Sequence, residues 1–159
     1  MKIIAAMTEN RVIGDGDKLP WHLPDEQEHY RRLIADQTVI MGRRSYELFK
    51  KDLTSRHAVV VSRSRADVPS AMVCETLDSA IEEATSLGRV VYVNGGESIY
   101  EQAIPLADGL ELSIIKGDYS GDAYFPAIDE ATWLLTLRQD HGAWEFRRYD
   151  RVQKKTPPR

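Results

Sequence analysis

Residues 89–104 read RVVYVNGGESIYEQAI, an apolar and largely β-branched run, then two glycines, then a segment of helical character. A strand that passes through a glycine turn straight into a helix is the repeating unit of a parallel sheet, whose neighbouring strands need a crossover to return. The same order recurs upstream. KIIAAM (2–7) is continuously apolar, as expected of a strand buried on both faces. TVIMG (38–42) is a short buried strand whose glycine opens a helix over RRSYELFK, and HAVVVS (57–62) is another strand. A helix is expected from about Pro24 to Ala35, with the proline suited to its first turn. A second covers 77–87, where Leu77, Ala80, Ile81, Ala84 and Leu87 recur at helical spacing between a Thr76 N-cap and the Gly88 stop.

Beyond Leu110 the character changes: ELSII, TWLLTLR and WEFRRYDRV are strand-like, with no helical stretch between them. Alternation followed by strands alone predicts an α/β fold, a mostly parallel mixed sheet with antiparallel edge strands. One domain is expected over 1–153, followed by a polar tail at 154–159.

Bulk properties narrow the function. At 159 residues, 42% apolar and 29% charged, the chain has an ordinary globular composition. A net charge of −4 gives no footprint for nucleic acid or an anionic membrane. The single cysteine, Cys74, excludes an internal disulfide and a cysteine-based zinc cage; within AMVC it reads as an inert buried thiol. The apolar start MKIIAAM breaks at TENR, too short for a signal sequence, and no run reaches transmembrane length. A cytoplasmic, monomeric protein without a metal site is the expectation.

Ligands of such sheets bind beyond the carboxyl ends of the strands. Three junctions there suit anions: GRRS (42–45), SRSR (62–65) and NGGES (94–98). Taken singly, the glycine pair also reads as a tight turn and each arginine as a solvated charge. Together they point to a phosphate-rich ligand such as a dinucleotide, although GxGxxG and a full P-loop are both missing. In the segment LPWHLPDEQEHYRRL (19–33), Tyr30, Leu33 and Ile34 define the apolar side of the helix. At about 100° per residue Glu26 falls within about 35° of the centre of that side and Gln27 about 65° away, while Asp25 and Glu28 point off it. An inward acid is costly unless it is paired or functional, so Glu26 is either a structural ion-pair partner or helix-end stabiliser, or a group able to hold a proton near neutrality.

These residues bring the chain to a family. The motifs RVIGDGDKLPWHLPDE (11–26), VIMGRRSYE (39–47), VVVSRS (59–64), VNGGESIY (93–100) and GDAYFP (121–126) resemble dihydrofolate reductase, in that family's order and spacing. The resemblance implies a central mixed eight-stranded sheet flanked by four helices, and NADPH-dependent reduction of 7,8-dihydrofolate to tetrahydrofolate, by hydride transfer to C6 with protonation of N5. It also implies susceptibility to antifolate inhibitors. Glu26 falls at the acidic pteridine-binding position, Ser113 at its hydroxyl partner, and Trp21 at the tryptophan that contacts an ordered water near the acid. Ile4, Ala5, Tyr30, Phe49 and Leu53 match the apolar folate lining, and Arg56 the arginine that pairs with the substrate's α-carboxylate.

For the cofactor, the resemblance assigns Ala6 and Ile13, with Gly14 and Leu19 of the same loop, to the nicotinamide end. It assigns Gly42, Arg43, Arg44, Ser45 and the 95–100 segment (Gly95, Gly96, Glu97, Ser98, Ile99, Tyr100) to the phosphates, and Ser62 and Arg63 to the adenosine end. Residues 8–20 match the mobile loop that closes over nicotinamide. Two positions depart from the family pattern: Gln27 replaces a usually apolar residue at the substrate edge, and Asn94 stands where Ile or Val is common. The fold also serves a ribosylaminopyrimidine phosphate reductase, and a non-catalytic NADPH- or folate-binding module remains open as a different class of function.

Overall fold

The computed structural model describes residues 1–55, 57–64, 68 and 70–152. In chain order these form strands β1 (Lys2–Thr8), β2 (Val12–Gly14), β3 (Thr38–Gly42), β4 (His57–Val61), β5 (Ala71–Cys74), β6 (Val91–Val93), β7 (Gly109–Ile115), β8 (Ala123–Tyr124), β9 (Trp133–Asp140) and β10 (Trp144–Arg151). The helices are α1 (Pro24–Ile34), α2 (Arg43–Phe49), α3 (Leu77–Ser86) and α4 (Glu97–Ala103), with a short 3₁₀ turn at Lys50–Asp52.

Eight strands make one sheet in the order β5-β4-β3-β6-β1-β7-β10-β9. The six from β5 to β7 run parallel, and the C-terminal hairpin adds β10 antiparallel to β7. The alternation of side chains along β1 explains how both faces are filled. Ile3, Ala5 and Met7 enter a core with Leu110, Leu112 and Ile114 of β7 and the apolar stripes of α3 and α4, whereas Ile4 enters the opposite core with Val39, Met41, Ile34 of α1 and Tyr46 of α2. A third cluster, Trp21, Ile115, Trp144 and Phe146, closes the sheet's C-terminal side.

Most elements match the sequence expectation, and the differences have local causes. Of the strand read over 89–96 only Val91–Val93 is β6; the Asn94 N–H still donates to the Ile40 carbonyl at 2.8 Å, and the chain then turns through the glycines. AMVC is an edge strand, paired in parallel with β4, and the Cys74 thiol at its end is buried. The 8–20 segment, expected as loop, contains β2, which pairs antiparallel with β8. Strands of two and three residues carry no readable period, and this pair is defined by a partner more than a hundred residues away. The Thr76 cap expected for α3 is present as a reciprocal capping box with Ser79. Among the described residues no helix is long and apolar enough to cross a membrane.

The β2–β8 pair depends on one glycine. A Cβ on Gly121 would sit 2.2 Å from the Gly14 carbonyl oxygen and 2.5 Å from Val12 Cγ1, far inside contact distance. Asp122 follows it, donating its N–H to the Gly14 carbonyl at 3.0 Å and accepting the Gly16 N–H on its carboxylate at 3.0 Å. Gly121→Ala is therefore expected to destabilise the protein by about 1–3 kcal/mol. Urea unfolding would read that loss, and proteolysis within 12–18 would rise with it.

Candidate active site

The start of α1 is fixed by its flanking contacts. The Trp144 indole N–H donates to Asp25 Oδ2 at 2.8 Å, and this bond holds the exposed Asp25 carboxyl below the usual carboxylate range. With Asp25 tied outward to β10, the next residue turns in: Glu26 is 7% exposed, whereas Glu28 lies on the surface beside Arg31 and Arg32. Burial pushes the Glu26 carboxyl above its ordinary value; the Ser113 hydroxyl, hydrogen-bonded to it, opposes that shift and the nearby Asp25 charge adds to it. Ser113 is itself buried, on the face of β7 that looks toward α1. Its neighbours across the ladders are Ala6 of β1 and Phe146 of β10.

Glu26 opens into a cleft of about 890 Å³. Its walls include Ile4, Ala5, Ala6, Ile13, Leu19, Gln27, Tyr30, Ser45, Phe49, Asn94, Gly95, Gly96, Tyr100 and Ser113, each singled out from the sequence. Leu53 instead packs, half-buried, against the core that holds Ile4 and Val39. Trp21 is buried in the third cluster, edge-on to Tyr119, and its indole N–H has no hydrogen-bond partner among the described residues. Arg56 lies outside the described residues. Five further lining residues escaped sequence reasoning: His29, Leu33, Asp52, Glu111 and Phe146. Helical phase does place His29 and Leu33 near Glu26, but nothing in the sequence aligns Glu111 or Phe146 with them, since that follows from strand register.

One departure from the family pattern, Asn94, has its partner inside the cleft. Asn94 donates its side-chain amide to the Tyr30 hydroxyl, joining the end of β6 to α1 across the cleft. The Tyr100 hydroxyl donates to the Ile4 carbonyl at 2.8 Å. Burial pushes both phenols up, so they remain neutral donors. Gln27, half-buried, lies on the wall beside Glu26.

At the other end of the cleft two strand-to-helix junctions converge. The Gly42 N–H donates to the Gly95 carbonyl at 2.8 Å, so the starts of α2 and α4 sit side by side. Neither Gly42 nor Gly96 offers a side-chain cap, which leaves first-turn amides free to meet an anion. Gly95 has φ +88°, a left-handed conformation natural to glycine, and a Cβ on Gly96 would come 3.1 Å from Ser45 Oγ. Arg43 donates to Ser64 Oγ at 2.7 Å and to Glu47, and Ser64 contacts the buried Ser62. Arg44 bridges to Asp17 of the 8–20 segment at 2.7 Å, and Arg63 is exposed. Gly14 lies in β2, and the Glu97 carboxylate accepts the Tyr124 N–H at 3.2 Å. Ser98 is bonded to Gln102, while Ile99 and Tyr100 are core side chains whose backbone alone faces the junction. Among the described residues no group of three or more His, Cys, Asp or Glu is placed to hold a metal ion.

A buried acid at one end of a cleft and twin uncapped helix starts at the other are the chemistry of an α/β enzyme site that suits a proton-exchanging group at one end and an anionic group at the other. The sequence model of the dihydrofolate reductase family matches residues 1–155. The chain is 39% identical over 130 residues to dihydrofolate reductase type A13 of Escherichia coli, covering 81% of this chain and 79% of that one. It is 35% identical over 161 residues to dihydrofolate reductase HdrB of Haloferax volcanii, covering 95% and 83%. A solved structure, dihydrofolate reductase from Enterococcus faecalis complexed with NADP(H) and RAB-propyl, matches with a TM-score of 0.85 at 24% identity over 96% of both chains. The chain belongs to the dihydrofolate reductase family, enzymes that reduce dihydrofolate to tetrahydrofolate with NADPH.

The buried acid has a measurable linkage. A carboxyl whose folded pKa lies above its unfolded value binds protons more tightly in the native state, so stability falls as pH rises through that window. Glu26→Gln has no charge to bury. Its stability is expected to match the parent near pH 4 and to exceed it at pH 8, each tenfold change in proton affinity being worth about 1.4 kcal/mol. Urea midpoints at the two pH values check the sign.

Proposed function

We propose that the cleft holds dihydrofolate with its pteridine ring against Glu26 and Ser113, and NADPH along the Gly42 and Gly95–Gly96 junctions. The observation that carries this reading is the Glu26 carboxyl, 7% exposed and hydrogen-bonded to the Ser113 hydroxyl, at the end of a cleft whose far end carries two uncapped helix starts. A carboxyl of raised proton affinity hydrogen-bonds a ring N–H and an amino group when ionised, and holds a proton near neutrality when the ring needs one. Glu26 thereby binds the pteridine and supports protonation at N5. Ser113 orients the carboxyl, and the unpartnered Trp21 indole N–H is placed to hold a water near it. Ile4, Ala5, Tyr30, Phe49 and Leu53 supply apolar contact for the pteridine and p-aminobenzoyl rings, with Gln27 and Asn94 adding polar groups to the same wall. Arg56 takes the glutamate α-carboxylate by the family likeness.

Bound NADPH supplies the hydride. The backbone groups of Ala6 and Ile13, with Gly14 and Leu19 beside them, orient its carboxamide end next to the pteridine side of the cleft. The amides of 95–99 hold its phosphates, joined by Arg43, Arg44 and Ser45 at the start of the helix that Gly42 opens; Ser62 and Arg63 take the adenosine end. The residues fit the group, because the glycines leave room where a Cβ would crowd Ser45 or Ile99. Arg43, already turned toward Ser64, is positioned to meet a 2′-phosphate, which favours NADPH over NADH. The 8–20 segment excludes water from the reacting face.

Kinetics separate the two adjacent acids. Glu26→Gln is expected to slow hydride transfer at pH 7 by about 10²–10⁴-fold, with partial recovery in acid. Asp25→Asn is expected to change it by less than about tenfold, since its contact is a structural bond to Trp144. Stopped-flow loss of NADPH absorbance reads both; the reverse ranking would remove Glu26 from its role. In the same assay NADH should support a markedly lower kcat/KM than NADPH, and parity between them would remove the 2′-phosphate contact.

A further inference from the structure

The hydrogen bond between Asn94 and Tyr30 crosses the cleft and fixes both ends of the Asn94 amide. Its nitrogen, Nδ2, donates to the Tyr30 hydroxyl. Its oxygen, Oδ1, lies 3.5 Å from the Tyr100 hydroxyl oxygen. That hydroxyl has a single proton, which the Ile4 carbonyl accepts at 2.8 Å. The shorter contact takes the proton, so Asn94 Oδ1 and the Tyr100 oxygen face each other as two acceptors. Asn94 and Tyr30 are half-buried and Tyr100 is buried, and all three line the cleft beside Ile4, Ala5 and Phe49. Two acceptor oxygens set together in such a wall call for an N–H.

The place of these oxygens along the cleft selects which N–H. Tyr30 follows Glu26 by four residues on α1, one turn further on the same face and about 6 Å along the helix. One residue later, Arg31 donates to Asp52 Oδ1 at 2.6 Å, which sets the 3₁₀ turn and Phe49 before it beside that part of α1. The cleft therefore runs from Glu26, past the Asn94–Tyr30 bond, to Phe49 and Asp52. With a pteridine against Glu26, its two fused rings occupy the first interval, and the benzoyl ring meets Phe49. The group that passes Asn94 is the short linker between them, a methylene and a secondary amine, N10–H. The N10 lone pair is delocalised into the benzoyl ring, which makes this nitrogen a donor and a poor acceptor.

We infer that Asn94 Oδ1 accepts the N10–H of dihydrofolate, and that Tyr30 is the positioning residue that turns the Asn94 amide so that its oxygen, not its NH₂, faces the linker. The inference rests on the pteridine lying against Glu26 as proposed. It makes Asn94 a specificity-determining residue: a linker that carries N–H is selected over one with an ether oxygen or a tertiary amine at the same place. An ether would set a third oxygen against Oδ1 and the Tyr100 oxygen, and a tertiary amine would set a carbon substituent there. Either leaves the amide oxygen desolvated without a donor.

The test compares dihydrofolate with its 10-oxa analogue, of the same shape but with an ether oxygen for N10–H, in the parent protein, Asn94→Leu and Tyr30→Phe. Asn94→Leu keeps the side chain's shape and removes both polar atoms; Tyr30→Phe keeps the ring and removes the bond that orients the amide. Comparing two ligands within each variant cancels any general loss of folding or activity. The parent should favour dihydrofolate about 10-fold in KM; Asn94→Leu should shrink that ratio about 3–10-fold and Tyr30→Phe part of the way, with the change in the KM ratio rather than the kcat ratio. Equilibrium binding of folate and 10-oxafolate to NADPH-free protein, followed by tryptophan fluorescence, should show the same narrowing. A parent ratio near one, or a ratio that Asn94→Leu leaves unchanged, would overturn the inference while leaving the proposed function in place. A Tyr30→Phe ratio equal to the parent's would overturn the part given to Tyr30. A parent protein inert toward dihydrofolate would overturn both the inference and the function.

Discussion

The parallel pairing of β1 with its two neighbours, β6 and β7, is the constraint on which the rest of this structure depends. Its register sets Ile3 beside Val93 and Ala6 beside Ser113. Neighbouring strands lie about 4.8 Å apart, so the acid's hydroxyl partner, the Ala6 backbone and the glycine turn after β6 are brought within one ligand's span. The hydrogen bond from Gly42 to Gly95 carries the arrangement one strand further and aligns the two helix starts. None of these groups is close to another in sequence.

The electrostatics of the site are set by unequal treatment of similar groups. Asp25 and Glu26 are adjacent, yet an indole N–H lowers the proton affinity of one while burial raises that of the other. Glu111, a third carboxylate in the cleft, is held by two cations on one oxygen. The two polar replacements on the wall are likewise treated unequally. Asn94 and Tyr30 satisfy each other across the cleft, so a polar residue that looks anomalous alone is half of a hydrogen-bonded pair. Gln27 lies half-buried on the same wall beside the acid.

The parts of the fold and site that were legible in the sequence are those governed by local physics. Continuous apolar runs marked β1, β3 and β4, the strand-like ELSII marked β7, and glycines marked the turns into α2 and α4. Helical phase alone chose Glu26 over Asp25 and Glu28, because a helix face is decided within about two turns of chain. The β2–β8 pair was illegible, being two short segments stabilised only by each other and by the space Gly121 leaves. Glu111 was equally hidden: in ELSII it reads as a charged residue in a strand, with no sign of the cleft wall it joins.

By itself, then, the sequence determined most of the strands and helices, which acid turns inward, and where glycines open the helices, because each of these is a matter of period, turn chemistry and neighbouring side chains. Only the tertiary structure decided which of these segments face one another. It made Ser113 the partner of Glu26, paired Asn94 with Tyr30, and set His29 edge-on to Phe146. The physical reason is that strand order and register arise from burying both faces of the sheet at once, a condition on the whole chain that no single stretch of it contains.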